Sequence, residues 1–344
     1  MRIAIIGYGG VGRALIRLIK DKKNELAEEG INPIIKYVIT SRGGVYDSQG
    51  IDLDKFIDFS TVNGDISSYA EGGSQDISFD KVIQNKDVDV LIEMTPTNVE
   101  TGEPGLSYIR ESLENGIHVI SSNKGPILLA YKKLYELALK NKVQLCIGCT
   151  TGGALPSINA GIIDLAGSKI KSIEGILNGT SNFILEEMEN NKIEYPEALK
   201  KAQDLGIAET DPSLDVGGWD TATKLLILTN VLMNEDKTME DIDVKGITSI
   251  KLSDVEKLAK EGKRYKLIGK TSLVDGKIEM TVQAQVVDSA NLLYNVNGKD
   301  KVVRYTSDTL GDLTVIGGAS GVTPAAASVL RDLINIHRGY EYVR

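Results

Sequence analysis

Residues 3–19 read IAIIGYGGVGRALIRLI, and this stretch decides the class of the fold. Four apolar residues, Ile3 to Ile6, run into Gly7, Gly9 and Gly12 in the spacing G-x-G-x-x-G, with Gly10 and Val11 between them. Apolar residues at helical spacing follow. A strand that breaks into a glycine turn and reopens as a helix is the start of a Rossmann-type, dinucleotide-binding unit. Gly7 permits the tight turn, Gly9 lets backbone approach a pyrophosphate, and Gly12 lets helix and strand pack closely. The unpaired N–H groups at the helix start then receive the phosphates.

Outward from that stretch, short apolar runs alternate with amphipathic ones. Arg2 to Ile6, Ile34 to Thr40, Val88 to Glu93, His118 to Ser121 and Val143 to Ile147 read as strands. Val11 to Lys20, Gly105 to Glu114 and Ile127 to Lys140 read as helices. The alternation predicts a parallel, doubly wound sheet. Gly43 to Gly73 is polar and glycine-rich, and predicts loops with little regular structure. CTTGGALPS (149–157) punctuates the pattern. Beyond it come a long helix over Ile158 to Ala166, a strand in KIKSIEGILNG (169–179) and a helix over Trp219 to Met233. Alternation of period two returns near Val282 to Val287 and Val302 to Tyr305, which predicts a second, open sheet with helices on it. The last segment, VTPAAASVLRDLINI (322–336), is a helix with Pro324 in its first turn. The fold class is therefore α/β: a Rossmann-type doubly wound parallel sheet over 1–150 and a second, α+β substrate and dimerisation domain over 151–318. The helix of 319–344 is expected to return to the nucleotide-binding domain.

Apolar residues make up 42% of the chain, enough for a sizeable core, while aromatics at 5% leave the packing to Val, Ile and Leu. A formal charge of −9 offers no basic face for nucleic acid. No stretch approaches the apolar length of a membrane span, and the first residues are not a signal peptide. Two cysteines make no disulfide framework, which fits a reducing, cytoplasmic setting. Cys146 and Cys149 form a C-x-x-C, but only His118 and His337 could complete a zinc site. VQLCIGC (143–149) reads instead as a buried strand in which cysteine acts as a small apolar residue.

The second strand ends in Ser41 and Arg42. An NAD site usually places an acidic residue here to accept the ribose 2′-hydroxyl. The reversed polarity predicts a 2′-phosphate, hence NADP by preference with NAD possible; Lys55 is a weaker second candidate cation, and the bland alternative is a solvated loop arginine.

Four further segments carry the chemistry: SSNKGPI (121–127), CTTGGALPSI (149–158), GILNGTSNFIL (175–185) and AETDPSLDVGGWDTATKLLIL (208–228). In this order and layout, from Arg2 to about Ile336, the chain resembles the homoserine dehydrogenase family, in a short form with no regulatory domain after the last helix. The resemblance implies a nicotinamide-dependent enzyme of threonine and methionine biosynthesis, interconverting aspartate 4-semialdehyde and homoserine. It implies that Glu209, Asp215, Asp220 and Lys224 are the polar residues of the substrate site, with Gly179 and Thr180 holding the amino-acid portion. Lys124 would face them from the nucleotide-binding side. Thr95, Pro96, Ser122 and Asn123 would line the nicotinamide end, and Gly318 and Gly321 would close over the cofactor. A homodimer through the second domain's sheet is implied as well.

The reaction asks for such groups independently. Hydride delivery to an aldehyde leaves charge growing on oxygen, which an ammonium stabilises and protonates. Asp220 and Lys224 stand at i and i+4 on one helix, so they are expected to pair. That pairing favours an electrostatic role for Lys224 and leaves Lys124 the better proton exchanger, although Lys224 as the donor stays open. The bland alternatives are a surface ion pair for Asp220 and Lys224, and helix capping for Asp211 and Asp215. One departure concerns the metal. Before the double glycine, where family members commonly carry a glutamate that helps backbone carbonyls hold sodium, this chain has Gly148. Carbonyls around Thr151 and Gly153 leave a sodium ion unassigned. Two other readings compete: a semialdehyde dehydrogenase that acylates a cysteine, and an NADP-binding sensor without turnover.

Overall fold

The computed structural model describes residues 1–342. Five strands run parallel: β1 (Arg2–Ile6), β2 (Ile34–Thr40), β5 (Val90–Glu93), β6 (His118–Ser121) and β7 (Leu145–Cys146). Two short strands, β3 (Gly43–Tyr46) and β4 (Gly73–Ser74), extend the sheet antiparallel at one edge, giving the order β4-β3-β2-β1-β5-β6-β7. The chain leaves β1 for β2 on one side and reaches β5 on the other, so the order reverses between β1 and β5. In open α/β sheets, ligands bind outside the carboxyl ends of strands at such a switch point. Ile3, Ile5, Val38, Leu91 and Val119 are fully buried, the mark of strands covered on both faces.

The expectation that Gly43 to Gly73 lacks regular structure is wrong. Besides β3 and the start of β4 it holds a helix, Leu53–Val62, and a 3-10 turn, Ile66–Ser68. Asp52 caps the helix by accepting from the N–H groups of Asp54 and Lys55. Phe56 is fully buried between the rings of Tyr8 and Tyr69, at 5.3 and 5.5 Å. A few aromatic anchors provide packing that a count of polar residues conceals. Other boundaries shift more modestly. The helix expected from Ile127 begins at Lys124 and is interrupted at Ala130, and that expected over Ile158 to Ala166 is one turn, Ser157–Asn159, followed by a wider π turn, Ala160–Asp164.

Chain contacts divide the described residues into 1–154 together with 320–342, and Leu155–Ala319. In the first unit the last helix, Val322–His337, packs on the helix Gly10–Asp21 that follows the glycine turn. Asp332, fully buried on that last helix, accepts from Gly148 N–H at 2.9 Å.

The second unit is built on a six-stranded sheet of β8 (Ile170–Ile176), β9 (Ile242–Val244), β10 (Lys263–Val274), β11 (Lys277–Asp288), β12 (Lys301–Ser307) and β13 (Asp312–Gly317), in the order β13-β12-β8-β10-β11-β9. Its pairs are antiparallel except β11 with β9. The β10–β11 hairpin turns at Asp275 and Gly276, both at positive φ (49° and 79°), as a two-residue hairpin turn requires. Helices Gly179–Asn191 and Trp219–Met233 pack on this sheet.

One buried lysine ties the first of those helices to its surroundings. Lys266 on β10 is 2% exposed and donates to Asn182 Oδ1 (3.0 Å) and Val296 O (2.6 Å). Asn182 in turn donates to the carbonyls of Val296 and Gly298. Burial, helped by Arg264, lowers the pKa of this ammonium to about 8, against the pull of Glu186 and Glu189. Below pH 8 both folded and unfolded chains carry the proton. Between about 8 and 10.5 only the unfolded chain holds it, so this group makes stability rise with pH, by at most about 1.4 kcal/mol per pH unit. Urea unfolding of the protein and of Lys266→Met from pH 7 to 10 should therefore diverge, the unsubstituted chain gaining relative to the variant. Parallel curves would mean that the lysine does not titrate in this window.

Candidate functional site

At the switch point the glycines have distinct duties. Gly7, at φ 98°, donates its N–H to Ile39 O at 3.0 Å, and a Cβ there would fall on Met94 O. A Cβ on Gly12 would strike Gly7 O. Gly9 is different: nothing lies within 4 Å of where its Cβ would be. It stands as N-cap of Gly10–Asp21, and a backbone left open there suits close approach by a pyrophosphate. Gly10 is occupied from within the protein, because Val322 Cγ1 stands 2.9 Å from its would-be Cβ.

Ser41 and Arg42 form the two-residue turn between β2 and β3, closed by Thr40 Oγ1 donating to Gly43 O at 3.0 Å. Both are exposed. Lys55 is engaged elsewhere, 2.8 Å from Glu71. A carboxylate that sequence reasoning missed acts on this turn. Hydrogen bonds from Ser67 hold Asp65 below the usual carboxylate range, and the Arg42 guanidinium adds to the effect. A Cβ on Gly43 would touch Ser67, so the capped 3-10 turn lies against the hairpin.

The loops after β5 and β6 carry Thr95, Pro96, Ser122 and Asn123, Lys124 opens the helix that follows, and one buried carboxyl group bonds to both loops. Glu93, fully buried at the end of β5, accepts from Thr95 N–H (2.8 Å), Thr95 Oγ1, Ser121 Oγ (2.8 Å) and Asn123 Nδ2 (3.3 Å). Asn123 also caps the helix that Lys124 begins, its Oδ1 accepting from Gly125 N–H at 3.1 Å. Glu93 was not foreseen. In sequence it is the last letter of an apolar strand.

In the second unit, Asn178 is the hinge of the cluster. Its Oδ1 caps helix Gly179–Asn191 by accepting from Ser181 N–H (2.9 Å), while Nδ2 donates to Asp215 Oδ1 (2.6 Å) and Asp220 Oδ2 (2.9 Å). Lys224 donates to Asp220 Oδ2 (2.5 Å) and Leu177 O (2.8 Å), with its side chain 16% exposed. The expected i, i+4 pair thus forms, in a pocket of polar groups rather than on open surface. Thr180 Oγ1 donates to Ile207 O at 3.1 Å, tying the loop of Glu209 to the turn, while Glu209 itself is exposed. Asp211, one residue before the N-cap Pro212, accepts from Ser213 N–H at 3.1 Å. Asn178 was the residue missed here; an asparagine just before a helix is an N-cap signal, but the two distant carboxylates it bridges leave no local trace.

The remaining candidates are placed as follows. A Cβ on Gly318 would fall on the backbone of Leu155, and Gly321, at φ 120°, precedes the last helix as its N-cap. Gly148 is buried, its N–H on Asp332. Cys146 is fully buried in β7, and burial pushes its thiol well above the usual value. Among the described residues no helix is long and apolar enough to cross a membrane.

Comparison with known proteins bears on both units. The family model described as "Homoserine dehydrogenase, NAD binding domain" matches residues 7–147, and that described as "Homoserine dehydrogenase" matches residues 156–334. A homoserine dehydrogenase of Methanocaldococcus jannaschii is 40% identical over 337 residues, 98% of each chain. An NAD(+)-dependent homoserine dehydrogenase of Pseudomonas canavaninivorans is 36% identical over 98% of this chain and 96% of that one. A hyperthermophilic archaeal homoserine dehydrogenase mutant, solved in complex with NADPH, superposes with a TM-score of 0.84 at 26% identity, covering 100% of this chain and 99% of that one. The glycine turn at the switch point thus lies in the first matched segment and the asparagine-bridged acid–lysine cluster in the second, and the chain belongs to the homoserine dehydrogenase family.

Proposed function

We propose that the chain interconverts L-aspartate 4-semialdehyde and L-homoserine, using NADP by preference and NAD as well, as a cytoplasmic step of threonine and methionine biosynthesis. In this reading residues 1–150 and 319–344 hold the dinucleotide, and 151–318 hold the substrate and form a two-fold dimer through their sheet. The observation that carries the reading is Lys224, its ammonium oriented by Asp220 and Leu177 O in a cluster that Asn178 joins to Asp215.

When bound, the nicotinamide supplies or accepts the hydride. Lys224 then stabilises charge on the reacting oxygen; held by a carboxylate and a carbonyl, it serves better as a fixed positive charge than as a base. Lys124 serves as the proton exchanger. Asp215, with Oδ1 engaged by Asn178, offers Oδ2 to the substrate α-ammonium, joined by Glu209 and the Gly179–Thr180 turn. Thr95, Pro96, Ser122 and Asn123 line the nicotinamide, and Gly318 and Gly321 border the cofactor. A monovalent cation on carbonyls around Thr151 and Gly153 would be held without a carboxylate from Gly148. The acylating-cysteine alternative needs an accessible thiolate, and the buried Cys146 opposes it.

Cofactor choice tests the exposed turn. Arg42→Asp sets a negative charge where a 2′-phosphate would bind, and should weaken NADP by about 30-fold, or about 2 kcal/mol, while sparing NAD. Retained preference for NADP in kcat/KM would remove Arg42 from that role.

The lysines test the chemistry. Lys124→Ala and Lys224→Ala should each lower kcat for homoserine oxidation by at least about 100-fold, with little change in dinucleotide affinity. The double variant should be scarcely worse than the poorer single one, as for residues acting together. Near-normal turnover by either folded variant would exclude that lysine, and no turnover by the unsubstituted protein would overturn the whole reading.

A further inference from the structure

Glu93 is a carboxyl group with no exposure, and its neighbours explain how it is tolerated. Four donors from three residues converge on it: Thr95 N–H, Thr95 Oγ1, Ser121 Oγ and Asn123 Nδ2. Three of them meet on Oε1 and one on Oε2. The amide of Asn123 cannot turn over, because its Oδ1 is committed to Gly125 N–H at the helix start while Nδ2 also reaches Thr95 Oγ1 at 3.3 Å. Ser121 Oγ in turn accepts from Asn123 N–H at 3.1 Å. The backbone of Gly105 lies against the group, since a Cβ there would fall 2.7 Å from Asn123 Nδ2 and 3.2 Å from Glu93 Cδ.

The consequence is mechanical. The loops after β5 and β6 lie at the carboxyl edge of the parallel sheet, where a dinucleotide's nicotinamide half would be received. Beyond the paired strands, Ser122 N–H donates to Glu93 O at 3.2 Å. Glu93 bonds to both loops from a single side chain, beside the direct bond from Asn123 Nδ2 to Thr95 Oγ1. We propose that Glu93 is a positioning residue that clamps the Thr95–Pro96 loop and the Ser122–Lys124 loop together and so holds the nicotinamide end of the dinucleotide in register with the proton-exchanging Lys124. This rests on the assignment of those loops to the nicotinamide given above. Burying the carboxyl without a paired cation is costly, and only a full set of donors offsets it. A change of one partner would therefore be felt by all the others.

The test separates position from folding. Glu93→Ala removes every acceptor and leaves the donors buried; Glu93→Gln keeps an amide oxygen for Thr95 and Asn123 and loses only the bond from Ser121. Misplacing reacting groups by about 1 Å costs about 100-fold in rate. The expected result is that kcat falls by about 100-fold in Glu93→Ala and by about 3- to 10-fold in Glu93→Gln, with KM for homoserine changed less than about 3-fold. Calorimetry with NADPH and with 2′-phospho-ADP-ribose, which lacks the nicotinamide, supplies a readout independent of turnover. Both variants should bind the truncated ligand as the unsubstituted protein does, yet lose the extra affinity that the nicotinamide confers. A merely structural role would lower the melting temperature and leave both ratios intact. If Glu93→Ala does not fold, Glu93→Gln carries the test. Unchanged kcat together with an unchanged NADPH-to-truncated-ligand ratio in a folded variant would overturn the proposal. If the unsubstituted protein fails to oxidise homoserine, the functional reading falls, while the ligand ratio still decides for or against the clamp.

Discussion

Three backbones meet at the end of β1 more closely than any side chain would allow. Gly7 N–H bonds to Ile39 O on one flank, and Met94 O stands where a Cβ would be on the other. Much of the first unit depends on that approach. It turns the chain sharply enough for a helix to begin at Gly10, leaves open space beside the Gly9 backbone, and places β2 and β5 on opposite sides of β1. Because β2 ends in the Ser41–Arg42 turn and β5 in Glu93, the same convergence spaces the residues proposed for the two ends of the dinucleotide.

Both units hold carboxylates in place by one device. Asn123 and Asn178 are each the N-cap of a helix, and each splits its amide between two tasks. The oxygen accepts from a helical N–H, which fixes the orientation of the amide; the nitrogen then must donate outward. In the first unit it donates to Glu93, in the second to Asp215 and Asp220. The helix N-terminus also contributes a partial positive charge next to these carboxylates. A neutral side chain thereby keeps these acids in place.

What was legible in the sequence follows the range of the interactions. β1, β2 and β6 and the helix Gly105–Glu114 have the bounds that periodicity predicts, since local hydrophobic pattern determines them. The Asp220–Lys224 pair was visible because i and i+4 are neighbours on any helix. Glu93, Asp65 and Asn178 were not visible. Their partners lie 28 to 42 residues away in the cases of Ser121 and Asp220, or, for Asp65, in a segment whose composition suggested loops with little regular structure. The helix Leu53–Val62 was hidden for the same reason: its evidence is the fit of Phe56 between Tyr8 and Tyr69, a tertiary fact. β10 with its buried Lys266 also evaded the pattern, because a lysine in mid-strand reads as an outward position.

The Ser41–Arg42 turn has a bearing on how such an enzyme changes over generations. Its two side chains point into solvent at the tip of a hairpin whose closure depends on Thr40 and the backbone of Gly43. Neither residue fills the core or satisfies a buried group, so replacing either leaves the hydrophobic interior untouched. The trait proposed for them, discrimination between two coenzymes that differ by one phosphate, is thereby separated from the cost of folding. A lineage could drift from one redox pool to the other through single substitutions at this tip, and the switch point beneath would stay as it is.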